Sequence, residues 1–268
     1  MVRTINQSYQ AQYHREQKRK IFFKIFLFLV LSGGTAGGLI YLLFVSKLFI
    51  VDEISIFSRN GNLEVRPAVE SYLGEKKFFL PKFSNIFLVN SGEIAALLGE
   101  KFPSAENIKV EKEYFHGLNI FLDQKEAIGV WCYTKNGQCV YFDRHGIAFD
   151  SAAETSGTIL LSVSDQKGNF NKLGQLAGDA EKFKLIVRAN DELKKNKIIS
   201  NKFIIPETED FRLDVQTAEG WKIYLSTKDD LTRQLKNLLL FLSQKITSEK
   251  RSQLVYIDLT VPNRVYYK

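Results

Sequence analysis

One stretch constrains the chain more than any other: from Ile25 to Val45, 21 residues pass without a charge. An α-helix rises about 1.5 Å per residue, so about 20 apolar residues cross the hydrocarbon layer of a bilayer. A cleavable signal peptide has a shorter apolar region, about 7–15 residues, followed by a small-residue cleavage site. Here apolar sequence resumes after the Ser32–Gly38 patch and runs through Leu39–Val45. The expectation is an uncleaved transmembrane helix over residues 25–47, behind a basic tail, residues 1–24. Lys24 snorkels at one edge and Lys47 closes the other.

Charge sets the orientation. The net charge is +7, and residues 1–24 supply +5 of it: Arg3, Arg15, Lys18, Arg19, Lys20 and Lys24 against Glu16. Cationic residues before a span stay in the cytoplasm, so everything after Lys47 is expected outside. The remainder of the chain is nearly neutral, which argues against a nucleic-acid-binding domain. Within the span, Gly33/Gly37 and Gly34/Gly38 form two overlapping pairs of small residues four apart. Such pairs let a second helix approach closely; equally, they are tolerated in a helix facing lipid.

Beyond Lys47 two compositional halves follow, and the fold class expected is α+β. In the first, residues 49–125, Phe49–Phe57 reads as a strand ended by Asn60-Gly61, and Val65–Leu73 as a helix ended by Gly74. Phe78–Pro81 and Asn85–Val89 read as an extended connection. Asn90 with Glu93 starts a second helix carrying Ile94, Leu97 and Leu98, stopped by Pro103. Strands follow around Ile108/Val110 and Leu118/Ile120/Leu122, separated by His116-Gly117. The order is strand, helix, helix, strand, strand.

The second half, residues 126–268, reads as mainly antiparallel strands with two helices. Strands are expected at Ile128–Thr134, Gln138–Asp143, Ile147–Phe149, Thr158–Val163, Phe203–Ile205, Phe211–Val215 and Trp221–Ser226. One helix follows Asp179, with Phe183, Ile186 and Val187 on one face. Another follows a Thr227 cap, with Leu231, Leu235, Leu238, Leu239 and Leu242 as its buried stripe. Val255–Val261 alternates with period two, and Asn263–Lys268 closes the chain.

Cys132 and Cys139 flank a hairpin turn, and its register decides their pairing. A two-residue Asn136-Gly137 turn sets Cys132 opposite Tyr141; a four-residue loop sets the cysteines opposite each other, at a separation suited to a disulfide. Both readings stand at this level, the second permitted outside the cytoplasm. Cys132 and Cys139 with Asp143 and His145 fit no standard metal spacing. His14, His116 and His145 are scattered, and no nucleophile elbow, phosphate loop, zinc-protease motif or cofactor motif is found. Asp229-Asp230 suits a helix start.

Three stretches carry a family resemblance. They are Val51-Asp52-Glu53-Ile54-Ser55-Ile56; then Leu118–Leu122 with Gln124–Trp131 and Asp143–Phe149; then Ile257–Tyr266. In order and spacing they resemble the bacterial cell-division proteins FtsQ and DivIB, across nearly the whole chain. Gln124, Lys125, Ala127 and Thr260 depart from the family's usual Glu, Arg, Pro and Arg. These departures weaken any carry-over of a specific ion pair at the domain junction and leave the hydrophobic frame unaffected.

The resemblance implies a POTRA domain at 49–125, a β domain at 126–268, and no enzymatic activity or cofactor. It implies location at the division septum in the cytoplasmic membrane, and a scaffold binding bitopic proteins of the FtsB/DivIC and FtsL types among other division proteins. In the family the partner adds a strand beside the last β-strand. The corresponding residues are Tyr256, Ile257, Asp258, Leu259, Thr260, Val261, Arg264, Val265, Tyr266 and Tyr267. Their tyrosines suit an interface, or alternatively pack a terminal hairpin. The competing functional class is a POTRA-bearing membrane adaptor for secretion or envelope assembly.

Overall fold

The computed structural model describes residues 2–74, 84–113, 116–155, 159–246 and 248–268, with side chains from residue 21 onward except at 248–249. The first element is a continuous helix, α1 (Val2–Phe44). Its Ile21–Phe44 portion is long and apolar enough to cross a membrane, and none of it is buried within the chain. The basic tail, expected as a separate segment, belongs to the same helix. From Val2 to Ser32 it contains neither glycine nor proline, so nothing interrupts the hydrogen-bond ladder there. A short 3-10 turn follows at Lys47–Phe49.

The chain divides into two compact units. One comprises Met1–Phe57, Arg66–Ala95 and Lys109–Phe121; the other Ser58–Val65, Ala96–Ile108 and Leu122–Lys268.

After α1 come β1 (Glu53–Ser58), α2 (Arg66–Gly74), α3 (Ser91–Lys101), β2 (Ala105–Glu113) and β3 (Gly117–Gln124). The strands form one sheet in the order β1-β3-β2. Within the first unit Ile54, Val69, Leu73, Ile94, Leu118 and Ile120 are buried. Asn90 starts α3 as read from sequence: its Oδ1 accepts from Gly92 N (3.0 Å) and Glu93 N (3.4 Å), and its amide donates to Glu93 (3.2 Å). Asn85–Val89 is not extended. The N–H groups of Leu88 and Val89 donate back to Asn85 O, closing a turn. The Phe78–Pro81 part of that connection lies outside the described residues.

The rest builds one large sheet. Its strands are β4 (Gly129–Tyr133), β5 (Gln138–Phe142), β6 (Ala148–Ala152), β7 (Leu161–Asp165), β8 (Ser200–Ile205), β9 (Arg212–Thr217), β10 (Lys222–Ser226), β11 (Tyr256–Asp258) and β12 (Tyr266–Tyr267). Its helices are α4 (Ala180–Lys195), α5 (Leu231–Lys245) and the short α6 (Ser248–Arg251). The order is β12-β11-β10-β9-β8-β7-β4-β5-β6. Most neighbours are antiparallel; β10/β11, β4/β7 and β7/β8 run parallel. The result is a mixed α+β fold with a mostly antiparallel sheet. Thr158, expected to open β7, lies outside the described residues.

The core of this sheet gathers Trp131, Phe142, Val163, Phe203, Val215, Ile223 and Ile257 against Phe183, Ile186, Ala189 and Leu193 of α4 and Leu231, Leu235, Leu238 and Leu242 of α5. Each large apolar side chain so buried contributes about 1.5–3 kcal/mol. Leu239 and Val187 of the expected stripes are only partly buried. Asp179 caps α4, accepting from Glu181 N and Lys182 N. Asp230, not Thr227, caps α5. The Thr227 N–H is already taken by Phe211 O, so the chain leaves β10 there before the helix begins. A methyl group on Gly129 would sit 2.3 Å from Leu161 O, so β4 and β7 approach as closely as they do only around a glycine.

Candidate functional site

The period-two segment Val255–Val261 becomes a strand for only three residues, and it is flanked on both sides. On one side β11 pairs in parallel with β10, Ile223 standing opposite Ile257. On the other it pairs antiparallel with β12: Ile257 opposite Tyr267 and Asp258 opposite Tyr266. The expectation that Ile257–Val261 itself forms an open edge is therefore corrected. At Ile257 and Asp258 the backbone is covered by the chain's own β12, and the margin moves outward to Tyr266–Tyr267.

The loop that folds β12 back is locally determined. The Asp258 carboxylate accepts from Thr260 N (2.8 Å) and Thr260 Oγ1 (2.6 Å), turning the chain away from the strand direction. Asn263 adopts φ +60°, a left-handed conformation that asparagine tolerates better than most residues. Arg264 N donates to Val261 O (3.2 Å), completing the reversal.

Hydrogen-bond alternation then fixes which groups of β12 face outward. Lys268 N donates to Tyr256 O (3.2 Å) and Tyr256 N donates to Lys268 O (3.3 Å), so that pair exchanges both bonds. Opposed residues alternate between bonded and non-bonded pairs in an antiparallel ladder. The intervening Ile257/Tyr267 pair is thus non-bonded, and the N–H and C=O of Tyr267 point away from β11. Neither has a partner among the described residues.

The side chains of the ten residues separate by face. Ile257 and Leu259 are buried in the core, so they hold the ribbon down and cannot touch a partner. Tyr256, Asp258, Thr260 and Val265 are half-buried. Val261, Arg264, Tyr266 and Tyr267 are exposed, Tyr267 at 56%. The Tyr267 ring leans on Phe241 of α5, centroids 4.9 Å apart. Arg264 donates to the Tyr266 hydroxyl (3.2 Å).

Beside this edge lies a cluster that sequence reading missed. Tyr256 stacks on Tyr224 of β10 (centroids 5.3 Å), and the Arg212 guanidinium sits over Tyr224 (4.7 Å). Arg212 also grips the buried Asp214 through two bonds, of 2.7 and 3.2 Å. Burial pushes the Asp214 carboxyl above its usual range, against the pull of Arg212. No short motif joins residues 212, 224 and 256, because the strands that align them are brought together by non-local pairing.

At the other margin, Asp143 lies in the turn before β6. Lys125 Nζ meets its carboxylate at 2.9 Å, with both side chains largely out of solvent. The other carboxylate oxygen accepts from His145 N (2.9 Å) and Ile147 N (3.0 Å). Burial works to raise the Asp143 pKa, but Lys125 and the two backbone donors prevail and hold it below the usual carboxylate range.

The hairpin closes through residues 134–137, setting Cys132 opposite Cys139, and the two are joined by a disulfide. In α1, apart from the helix's own nearby backbone, nothing among the described residues comes within 4 Å of where a Cβ on Gly33, Gly34, Gly37 or Gly38 would stand. Among the described residues no three His, Cys, Asp or Glu side chains gather as a metal site. Neither known protein-family patterns nor curated proteins give any match to this chain.

Proposed function

We propose that this protein is a non-enzymatic, single-pass membrane scaffold of the bacterial division machinery, of the FtsQ/DivIB kind. Its partners are bitopic division proteins of the FtsB/DivIC and FtsL types, captured by strand addition along β12. One observation carries the reading: the outward N–H and C=O of Tyr267 are unpaired on an exposed strand. An extended segment of another chain satisfies such groups, and its affinity comes mainly from main-chain hydrogen bonds. Tyr266 and Tyr267 supply apolar area on either face of the added strand, and the Tyr224/Tyr256 stack extends one of those faces.

The remaining parts support the same reading. The order β1-α2-α3-β2-β3, with β3 central in its sheet, suits a POTRA domain, for which recruitment to the septum is the proposed role. The positive charge before Ile25 favours a cytoplasmic N-terminus. The open glycine face of α1 is available to a partner's membrane helix.

The test is capture by the full-length protein in detergent, with and without residues Val261–Lys268. Loss of the bitopic partner from the shortened chain, with membrane insertion retained, is the expected result. Undiminished capture overturns strand addition. A fluorescent fusion spread evenly over the envelope of dividing cells, with no band at midcell, overturns the division role and favours an adaptor for secretion or envelope assembly.

A further inference from the structure

We propose that the first unit rests on the outer surface of the bilayer, with Phe87 and Leu48 entering the headgroup–acyl boundary beside the end of α1. This rests on α1 being a membrane span, and it adds a second point of contact between protein and lipid.

Two segments far apart in sequence converge on the end of that helix. One is the 3-10 turn Lys47–Phe49; the other is the turn at residues 84–88. Val51 N donates to Ser84 O (2.6 Å) and Ile86 N donates to Phe49 O (2.8 Å). Asn85 fastens them to α1. Its amide nitrogen donates to Leu43 O (2.7 Å), one of the helix's terminal carbonyls, while its Oδ1 accepts from Phe87 N (2.9 Å). Asn85 is only 4% exposed, and a buried amide has to be satisfied in this way. The Asn85 side chain therefore sets where Phe87 stands relative to α1.

What the clamp holds there is apolar and uncovered. Phe87 is 53% exposed and Leu48 65% exposed; the Phe49 and Phe87 rings lie 5.0 Å apart. Lys47 is exposed beside them, so an ammonium group accompanies the apolar side chains.

Length identifies lipid as the occupant. The 24 residues of Ile21–Phe44 span about 36 Å at 1.5 Å per residue, against a hydrocarbon core of about 30 Å. The end of α1 then stands at headgroup level. Leu48 follows Phe44 by four residues, and Phe87 is two residues from the Asn85 that bonds to Leu43. Apolar and aromatic groups with a neighbouring cation are what a lipid interface accommodates.

The experiment uses the full chain in phosphatidylcholine–phosphatidylglycerol vesicles carrying a doxyl quencher either near the headgroup or near the acyl-chain end. Reporters are Phe87→Trp and, separately, Leu48→Trp, with Leu31→Trp inside the span. Trp131 and Trp221 are fully buried and are subtracted using the unaltered chain. The expected result is blue-shifted emission from Phe87→Trp, with greater loss of intensity to the shallow quencher than to the deep one. Adding Asn85→Ala should lessen that loss and leave the Leu31→Trp signal as it was. If Leu31→Trp is quenched while neither Phe87→Trp nor Leu48→Trp is, the surface contact is refuted and the span survives. If Leu31→Trp itself escapes quenching, the span fails and this proposal fails with it.

Discussion

The large sheet ends in a short strand on each side, β6 and β12, and the two margins are treated differently. Beside β6 the chain supplies its own cover: Ala148 N donates to Gln175 O (2.8 Å), Gly174 N donates to Ala148 O (2.7 Å), and Ile147 bridges to Leu176. Further along, the Asp150 carboxylate accepts from Ser151 N (2.8 Å), placing a negative charge on the rim. The β5/β6 ladder also shifts register between Tyr141 and Phe142. Covering segments, edge charges and bulges are the usual protections against unwanted strand pairing. At β12 neither a covering segment nor a bulge is present among the described residues; two exposed tyrosines stand there, followed by the exposed Lys268. One sheet thus has a margin covered by its own chain and another without such cover among the described residues.

The largest expected effect tests how firmly the closed margin is held. Lys125→Met leaves Asp143 buried without its cation, and removing one partner of a buried ion pair costs about 3 kcal/mol. Urea denaturation of the full chain in detergent measures this. The pH dependence has a definite sign. The folded-state pKa of Asp143 is depressed, so its contribution is present above the ordinary carboxylate range and disappears as pH falls through the depressed value. Partner capture at β12 should survive the substitution; its loss would show that the two margins are not independent.

A smaller effect sharpens the open side. In Tyr267→Pro the outward N–H disappears, while the bonds of Tyr256 with Lys268 stay. Capture should weaken by about 1 kcal/mol, roughly fivefold in dissociation constant, with thermal unfolding little changed. Equal affinity for the variant would remove that N–H from the interface. The smallest effect concerns the charge on β6. Asp150→Thr removes the rim carboxylate, and light scattering of the variant at high concentration should rise modestly while affinity at β12 stays constant.

Much of this was legible from local pattern. The apolar run gave the helix that is long and apolar enough to cross a membrane, and the Phe183/Ile186 and Leu231/Leu235/Leu238 spacings gave the faces of α4 and α5. Asp179 and Asn90 announced their helices because an N-cap acts within three residues of itself. Where two residues were competent to cap, as at Thr227 and Asp230, sequence could not rank them. The choice fell to a hydrogen bond between Thr227 N and Phe211 O, 16 residues apart in sequence. Asn85–Val89 reads as extended by composition, yet it turns because Asn85 is fastened to Leu43. For the candidate site, the ten residues lie in and around the closing ribbon as expected. Which of them faces out depended on β12 folding back over β11, a pairing that alternation within one strand cannot reveal. The Arg212/Tyr224/Tyr256 row was hidden for the same reason.

Gln234 has a consequence for the open margin. It is 2% exposed on α5, accepting from Ser226 N (2.8 Å) and donating to Ser226 O (2.9 Å) at the end of β10. Apolar packing alone would let a helix slide a little along its axis; a two-pronged amide gripping one backbone position acts as a dowel and forbids it. Phe241 sits seven residues further along, about 10 Å down the helix axis. The pin at one end of α5 thereby sets the height at which Phe241 meets Tyr267, so the closing ribbon inherits its alignment from a single buried polar side chain.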